Sequence, residues 1–277
     1  MGLRIATNIA SQSVQRNLKE VSNSGNAELE KLSSGKRITK AADDAAGLAI
    51  STNLEAQTKG LRQATRNAND GISLVQTAEG GLAETSNILI RLRELSIQSA
   101  SDTVGDNERG LLEKEYQQLS KEIDRISEST AFNGTQLLNG KGRGTMDFQV
   151  GAFAGEQNKI TFDSSETNSS SESIGISGSG VADKESALSS IADVDAAIDR
   201  VSGQRANLGA IQSRLQSTVK NLETQTINQD SARSVIQDVD VAEASASLAS
   251  NNVVKNAAVS TLAQANGIPN SALRLIS

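Results

Sequence analysis

From the middle of the first half, the chain reads Val75, Ala78, Leu82, Thr85, Leu89, Leu92, Ser96 and Ser99, at spacings of 3, 4, 3, 4, 3, 4 and 3. A 3.5-residue period is the seam of a helix wound against other helices. Ile88 and Leu95 widen the seam into a face suited to a bundle rather than a two-stranded coil. Asp43 and Asp44 stand just before this helical pattern, where a carboxylate caps free amides and complements the helix dipole. A break is expected near Gly60 or Asn69. Gly71, Gly80 and Gly81 each weaken a helix by roughly 1 kcal/mol relative to Ala, so close packing against neighbours is expected to offset them.

Residues 101–110 read as a turn. Leu112, Tyr116, Leu119, Ile123 and Ile126 then recur at spacings of 4, 3, 4 and 3, predicting a second bundle helix antiparallel to the first. Residues 129–140 are rich in turn formers. Between Met146 and Asp163 the period falls to two, with Gly155 between two alternating runs, which predicts a β-hairpin. Residues 164–180, SSETNSSSESIGISGSG, carry little apolar surface and are expected to form a weakly ordered loop at the far end of the bundle. Ile191, Val194, Ile198, Val201, Arg205, Leu208, Gln212, Leu215, Val219 and Leu222 alternate by 3 and 4 along one long helix. Arg205 and Gln212 are polar seam positions suited to fixing register.

The two ends differ from the middle. Residues 3–32 predict a thin amphipathic helix with Ile5, Ile9, Leu18, Val21, Leu29 and Leu32 as its apolar positions, stopped by Ser33-Ser34-Gly35. The other end is rich in Ala and Ser. Val254, Ala258, Leu262 and Ala265 give it a narrow seam, and Gly267 and Pro269 are expected to end its helix. Such helices bury little alone and are marginal until they find partners.

The expected fold is therefore mainly α: a long antiparallel helical bundle with a small β-hairpin region, and terminal helices paired in a separate coiled-coil domain. The expected division is 1–42 with 236–277 against 43–235. The bundle seam is assigned to Val75, Leu82, Leu89, Leu92, Leu112, Leu119, Ile123, Ile191, Ile198, Leu208, Leu215 and Leu222.

Composition narrows the function. Aromatic residues are 2% of 277 and there is one Pro, which disfavours a sandwich or barrel. A net charge of −6 argues against nucleic-acid binding. The chain has no Cys, so it has no disulfide framework, thiolate nucleophile or zinc-thiolate site. It has no His, which removes the commonest general base and metal ligand. No cofactor and no enzymatic activity are expected. No stretch approaches the ~20 apolar residues of a membrane span. The N-terminus lacks the apolar core and cleavage site of a secretory signal, and Ala6 breaks a myristoylation motif. These features suit a chain that is cytoplasmic or exported by a route that reads no such signal.

Three motifs tempt a chemical reading. Asp43 and Asp44 could suggest acid–base chemistry or a metal, but adjacent helix-start residues diverge by roughly 100° and no third ligand is near. Gly140 to Gly144, GKGRG, lacks the spacing of a phosphate loop. Asn133-Gly134-Thr135 and Asn168-Ser169-Ser170 match glycosylation sequons, which occur often by chance.

Residues 32–51, LSSGKRITKAADDAAGLAIS, and 65–89, TRNANDGISLVQTAEGGLAETSNIL, resemble the N-terminal signature of bacterial flagellins. EIDRISESTAFNGTQLLNG (122–140) and QVGA (149–152) are similar to the segments that follow it. DRVSGQRANLGAIQSRL (199–215), SARSVIQDVDVAE (231–243) and AAVSTLAQANGIPNSALRLIS (257–277) resemble the C-terminal signature. The resemblance spans nearly the whole chain except about 141–190, and it lacks the extra outer domains of larger flagellins. It implies the filament subunit of the bacterial flagellum, exported unprocessed by the flagellar type III apparatus to an extracellular filament. The terminal helices would pair into the inner tube, through Ile5, Ile9, Leu18, Val21, Leu29, Leu32, Leu248, Val254, Ala258 and Leu262. The bundle would form the outer tube.

The implied partners are further copies of the chain, a secretion chaperone on the C-terminal region, the filament cap and the hook-junction proteins, with no nucleic acid and no membrane. Residues 90–100, IRLRELSIQSA, also resemble the segment recognised by the flagellin-sensing Toll-like receptor of animals, placing Arg91, Leu95 and Glu115 in its contact set. Against that stand plainer roles: Arg91 and Glu115 as solvated helix charges, Leu95 as bundle surface, and all three in subunit packing. Two rival functions are a hook–filament junction protein of related build and an enzyme on a helical bundle. The first typically shows a Pro after the acidic pair, where this chain has Ala45-Ala46-Gly47-Leu48. The second would need a polar cluster inside the seams, such as paired Glu-x-x-His sites.

Overall fold

The computed structural model describes residues 7–274, with side chains described as far as 267. Its helices are α1 (Ile9–Ser34), α2 (Ala45–Ser99), α3 (Asp106–Ser129), α4 (Ser171–Ile174), α5 (Lys184–Gln237) and α6 (Val241–Arg274). Its strands are β1 (Ala131–Phe132), β2 (Thr135–Gln136), β3 (Thr145–Gln149) and β4 (Lys159–Asp163). Two compact units divide the chain: 57–227, and 1–56 with 228–277. These boundaries lie inside α2 and α5.

Local chemistry sets the helix ends. Asn8 caps α1 by accepting from Ser11 N, and Gly35 ends it in the left-handed conformation at φ 70°. Asp44 Oδ1 accepts from Gly47 N at 2.8 Å and so caps α2. Asp43 does something else. Its Oδ2 accepts from Lys40 N, Thr39 N and Thr39 Oγ1, closing the turn before the helix. Those hydrogen bonds, the Lys40 amide first, hold the Asp43 carboxyl below its ordinary value.

In the unit 57–227, α2 lies antiparallel to both α3 and α5. Arg91 meets Glu115 on α3, while Arg93 meets Asp195 and Glu79 meets Arg205 on α5. The eight α2 seam positions from Val75 to Ser99 are all buried. On α3 the most buried line is Arg109, Tyr116 and Ile123, at heptad spacing, with Leu112 and Leu119 half-buried beside it. On α5 it is Val194, Val201, Leu208, Leu215 and Leu222, with Ile191 and Ile198 half-buried on its flank. α2 is continuous, so the break expected near Gly60 or Asn69 is absent. At Gly81, a Cβ would meet Leu138 Cδ1 at 2.6 Å, so the missing side chain lets the 130–138 loop pack directly on the helix.

β3 and β4 form the antiparallel hairpin, with Thr145 opposite Asp163 and Gln149 opposite Lys159. A second, two-residue hairpin within 129–140 turns on Asn133 (φ 48°) and Gly134 (φ 75°).

The 164–180 segment is ordered and partly buried, contrary to the loose loop expected from its composition. Ile174, Ile176 and Ser169 are fully enclosed or nearly so. Thr167 Oγ1 donates to Leu137 O and Ser169 N to Leu138 O. Ser171 N and Oγ each donate to Asp124 at 2.8 Å. Two isoleucines anchor the segment, and long-range hydrogen bonds hold its backbone and several of its hydroxyls, while Ser169 Oγ is buried without a hydrogen-bond partner.

In the other unit α1 and α6 pair antiparallel. Asn8 Nδ2 donates to Ala265 O at 2.9 Å and Ser11 Oγ to Asn266 Oδ1 at 2.8 Å, clasping one end of the pair. At the other end Arg37 N donates to Gln237 O and Val239 N to Gly35 O. α6 runs through Gly267 and Pro269 to Arg274 rather than stopping at them. Proline lacks one backbone donor, and here that loss does not interrupt the helix.

Candidate functional site

The α1–α6 pair is thinly packed. Among its unit's described residues, the deeply buried apolar side chains are Ile38, Ala244 and Ala265. Leu18, Val21, Leu32, Leu248, Ala258 and Leu262 are half-buried, while Ile9, Leu29 and Val254 are exposed. Ile5 lies outside the described residues.

Large apolar side chains face outward on several sides. Val253 is 69% exposed, Val259 51% and Val254 46%. At roughly 100° per residue, these three stand about 0°, 240° and 100° around α6. No single partner helix covers all three. A helix that is apolar on every side belongs inside an assembly. Reading only the seam of α6 left out Val253 and Val259. Their signal was the presence of Val off the seam in a helix rich in Ala, Ser and Asn.

The Arg91 group lies on the bundle. Arg91 donates through Nη2 to Glu115 Oε1 at 2.8 Å and through Nη1 to Glu94 Oε2 at 2.9 Å. Hydrogen bonding to Glu115 first, and then to Glu94, raises the guanidinium pKa. Arg91 and Glu115 are exposed, so the structure brings these two together at the surface. Leu95 is different: it is fully buried in the bundle core rather than on its surface, and presents nothing to a partner. It sits one turn from Leu92 and Ser99 on the widened face, within the bundle's core cluster.

Among the described residues no group of three or more acidic, His or Cys side chains could hold a metal ion. No described helix is long and apolar enough to cross a membrane. The geometry is that of contact surfaces.

Residues 5–143 match the bacterial flagellin N-terminal helical region and 191–276 the C-terminal helical region. The chain belongs to the bacterial flagellin family. A flagellin of Halalkalibacterium halodurans is 42% identical over 97% of this chain and 98% of its own. The flagellar filament core protein flaB2 of Brachyspira hyodysenteriae is 38% identical over 98% and 99%. The crystal structure of Bacillus cereus flagellin superposes with a TM-score of 0.51 at 29% identity, over 61% of this chain and 94% of that one. A putative flagellar hook-associated protein of Vibrio parahaemolyticus aligns with a TM-score of 0.58 over 70% of this chain and 99% of its own, at 15% identity, a likeness of fold alone. This flagellin is a structural subunit that self-assembles into the flagellar filament, an extracellular appendage.

Proposed function

We propose that the α1–α6 pair is the inner contact layer of that filament and that the α2–α3–α5 bundle surrounds it. The observation that carries this reading is the exposure of Val253, Val254 and Val259 around the whole circumference of α6. Each such side chain returns about 1.5–3 kcal/mol when fully buried, and only several neighbouring copies bury all of them. The bundle, with its continuous core of enclosed leucines, stands without that help.

Assembly rather than catalysis is the function these surfaces serve. Export through the flagellar type III apparatus delivers the subunit unprocessed. A secretion chaperone shields the C-terminal region until then, and the cap and hook-junction proteins bound the growing filament. Arg91 and Glu115 form the exposed charge pair that an animal flagellin sensor would meet on a free monomer, and the same pair serves packing between subunits. The test is Val253→Asp or Val259→Asp. Because both sites are exposed in the single chain, each variant is expected to keep its helix content and its bundle melting temperature, yet fail to sediment as filaments after seeding. Normal filament yield from both variants would remove the inner-layer assignment.

A further inference from the structure

Near its Gly60 level, α2 has two unlike sides. The β3–β4 hairpin lies against one of them. A Cβ on Gly60 would stand 3.3 Å from the Ala152 Cβ, Asn67 Nδ2 donates to Gln149 O at 3.0 Å, and Gly71 faces the Phe148 ring. At roughly 100° per residue, positions 60, 67 and 71 share one face. On the other side, Arg62, Thr65 and Arg66 of α2 and Glu223, Thr226 and Ile227 of α5 line an open groove of about 450 Å³. Positions 62, 65 and 66 stand roughly 140–240° around the helix from Gly60. Hairpin and groove therefore occupy opposite faces of α2 at about the same height.

The hydrogen bonds explain why the groove is apolar. Thr65 Oγ1 donates to Leu61 O at 3.0 Å and Thr226 Oγ1 to Leu222 O at 2.7 Å. Both hydroxyls are thereby satisfied on their own helices, leaving methyl groups beside the exposed Ile227 side chain. Two guanidinium groups, Arg62 and Arg66, line it together with the Glu223 carboxylate, and Arg66 also donates to Gln63 Oε1.

The hairpin carries the complement. Phe153, in the turn between β3 and β4, is 60% exposed. Three positions on, Glu156 is exposed, with its Oε1 3.4 Å from Lys159 Nζ. A contact that repeats along an open assembly joins two unlike surfaces of each copy, a projection and a recess. We propose that Phe153 of one copy docks in the Arg62–Ile227 groove of the neighbouring copy, with Glu156 set against Arg62 and Arg66. Because projection and recess sit on opposite faces at one height, the contact joins copies side by side. This rests on the filament reading, and it names a contact on the bundle rather than on α1–α6.

The chain has no Cys, so engineered thiols report without background. Filaments of the double variant Phe153→Cys, Thr226→Cys are treated with a short bis-maleimide. The two sites cannot meet within one copy, so the expected product is a covalent ladder of oligomers in filaments and none in free monomer. In parallel, Phe153→Ala is expected to raise the critical concentration for polymerisation about tenfold, with unchanged bundle melting, and Phe153→Leu to restore most of it. Glu156→Arg should weaken assembly and Arg66→Glu in the same chain should recover it. Well-formed filaments that give no ladder, or an unchanged critical concentration in Phe153→Ala, would overturn the docking. Failure of the unmodified chain to polymerise would instead overturn the filament reading and this contact with it.

Discussion

Gly80 and Gly81 are adjacent in the middle of α2, yet their surroundings are opposite. A Cβ on Gly80 meets nothing within 4 Å. Replacing it by Ala only removes backbone freedom from the unfolded chain and restores helix propensity, worth about 1 kcal/mol. A Cβ on Gly81 meets Leu138 Cδ1 at 2.6 Å and Thr130 Oγ1 at 2.7 Å. Leu138 is fully enclosed and cannot swing aside, and the Thr130 hydroxyl is held on Ile126 O. Overpacking of this kind costs about 1–3 kcal/mol, which offsets or exceeds the same propensity gain. Gly80→Ala is thus expected to raise the bundle melting temperature by about 2–4 °C for a domain of this size. Gly81→Ala is expected to leave it unchanged or lower it by up to about 8 °C. Thermal unfolding followed by circular dichroism decides between them. Equal stabilisation by both variants would refute the claim that the 130–138 loop rests on the bare backbone of α2.

Three further outcomes follow from the same geometry. Leu89 is fully enclosed mid-bundle, so Leu89→Ala should cost about 2–5 kcal/mol in chemical denaturation, and Leu89→Asp should prevent the bundle from folding. The Asp43 carboxyl is held below its ordinary 3.8 in the folded chain, so its contribution is present above that value and is lost as pH falls through the lower folded value; the protection of the Thr39 and Lys40 amides, relative to their intrinsic exchange rates, should fall over that acid range, and should be low at neutral pH in Asp43→Ala. Arg91→Ala should reduce both filament yield and activation of an animal flagellin sensor by free monomer, and a reporter assay giving equal responses for the two chains would remove Arg91 from the contact set.

Much of the fold was legible because burial and periodicity coincide. The α2 seam leucines, Leu82, Leu89 and Leu92, and the seam positions Thr85, Ser96 and Ser99 repeat at 3.5 residues, and all are enclosed. The hairpin was legible because β3 and β4 alternate. The 164–180 segment was not, because its order comes from afar: Asp124 holds Ser171 across 47 positions, and no local pattern encodes that bond. Its serines read as solvated, whereas Thr167 and Ser169 are buried polar groups. Asn133-Gly134 did carry a hairpin signal, hidden inside a stretch read only as turn-rich. Leu95 was assigned to the receptor contact set by resemblance and to the bundle surface as its plainer role, although its place beside Leu92 on the widened seam already pointed inward. At the ends the seam positions were readable, but the assembly surface lies off the seam. Periodicity finds the face toward one partner and passes over the faces kept for others.

The central claim is that the ends of the chain assemble and the middle folds. It is tested most directly by electron microscopy of seeded, purified protein, comparing the full chain with one lacking 236–277. The full chain is expected to form filaments, while the truncated chain keeps a cooperative bundle transition with little change in melting temperature and forms none. Filaments from the truncated chain would contradict the account.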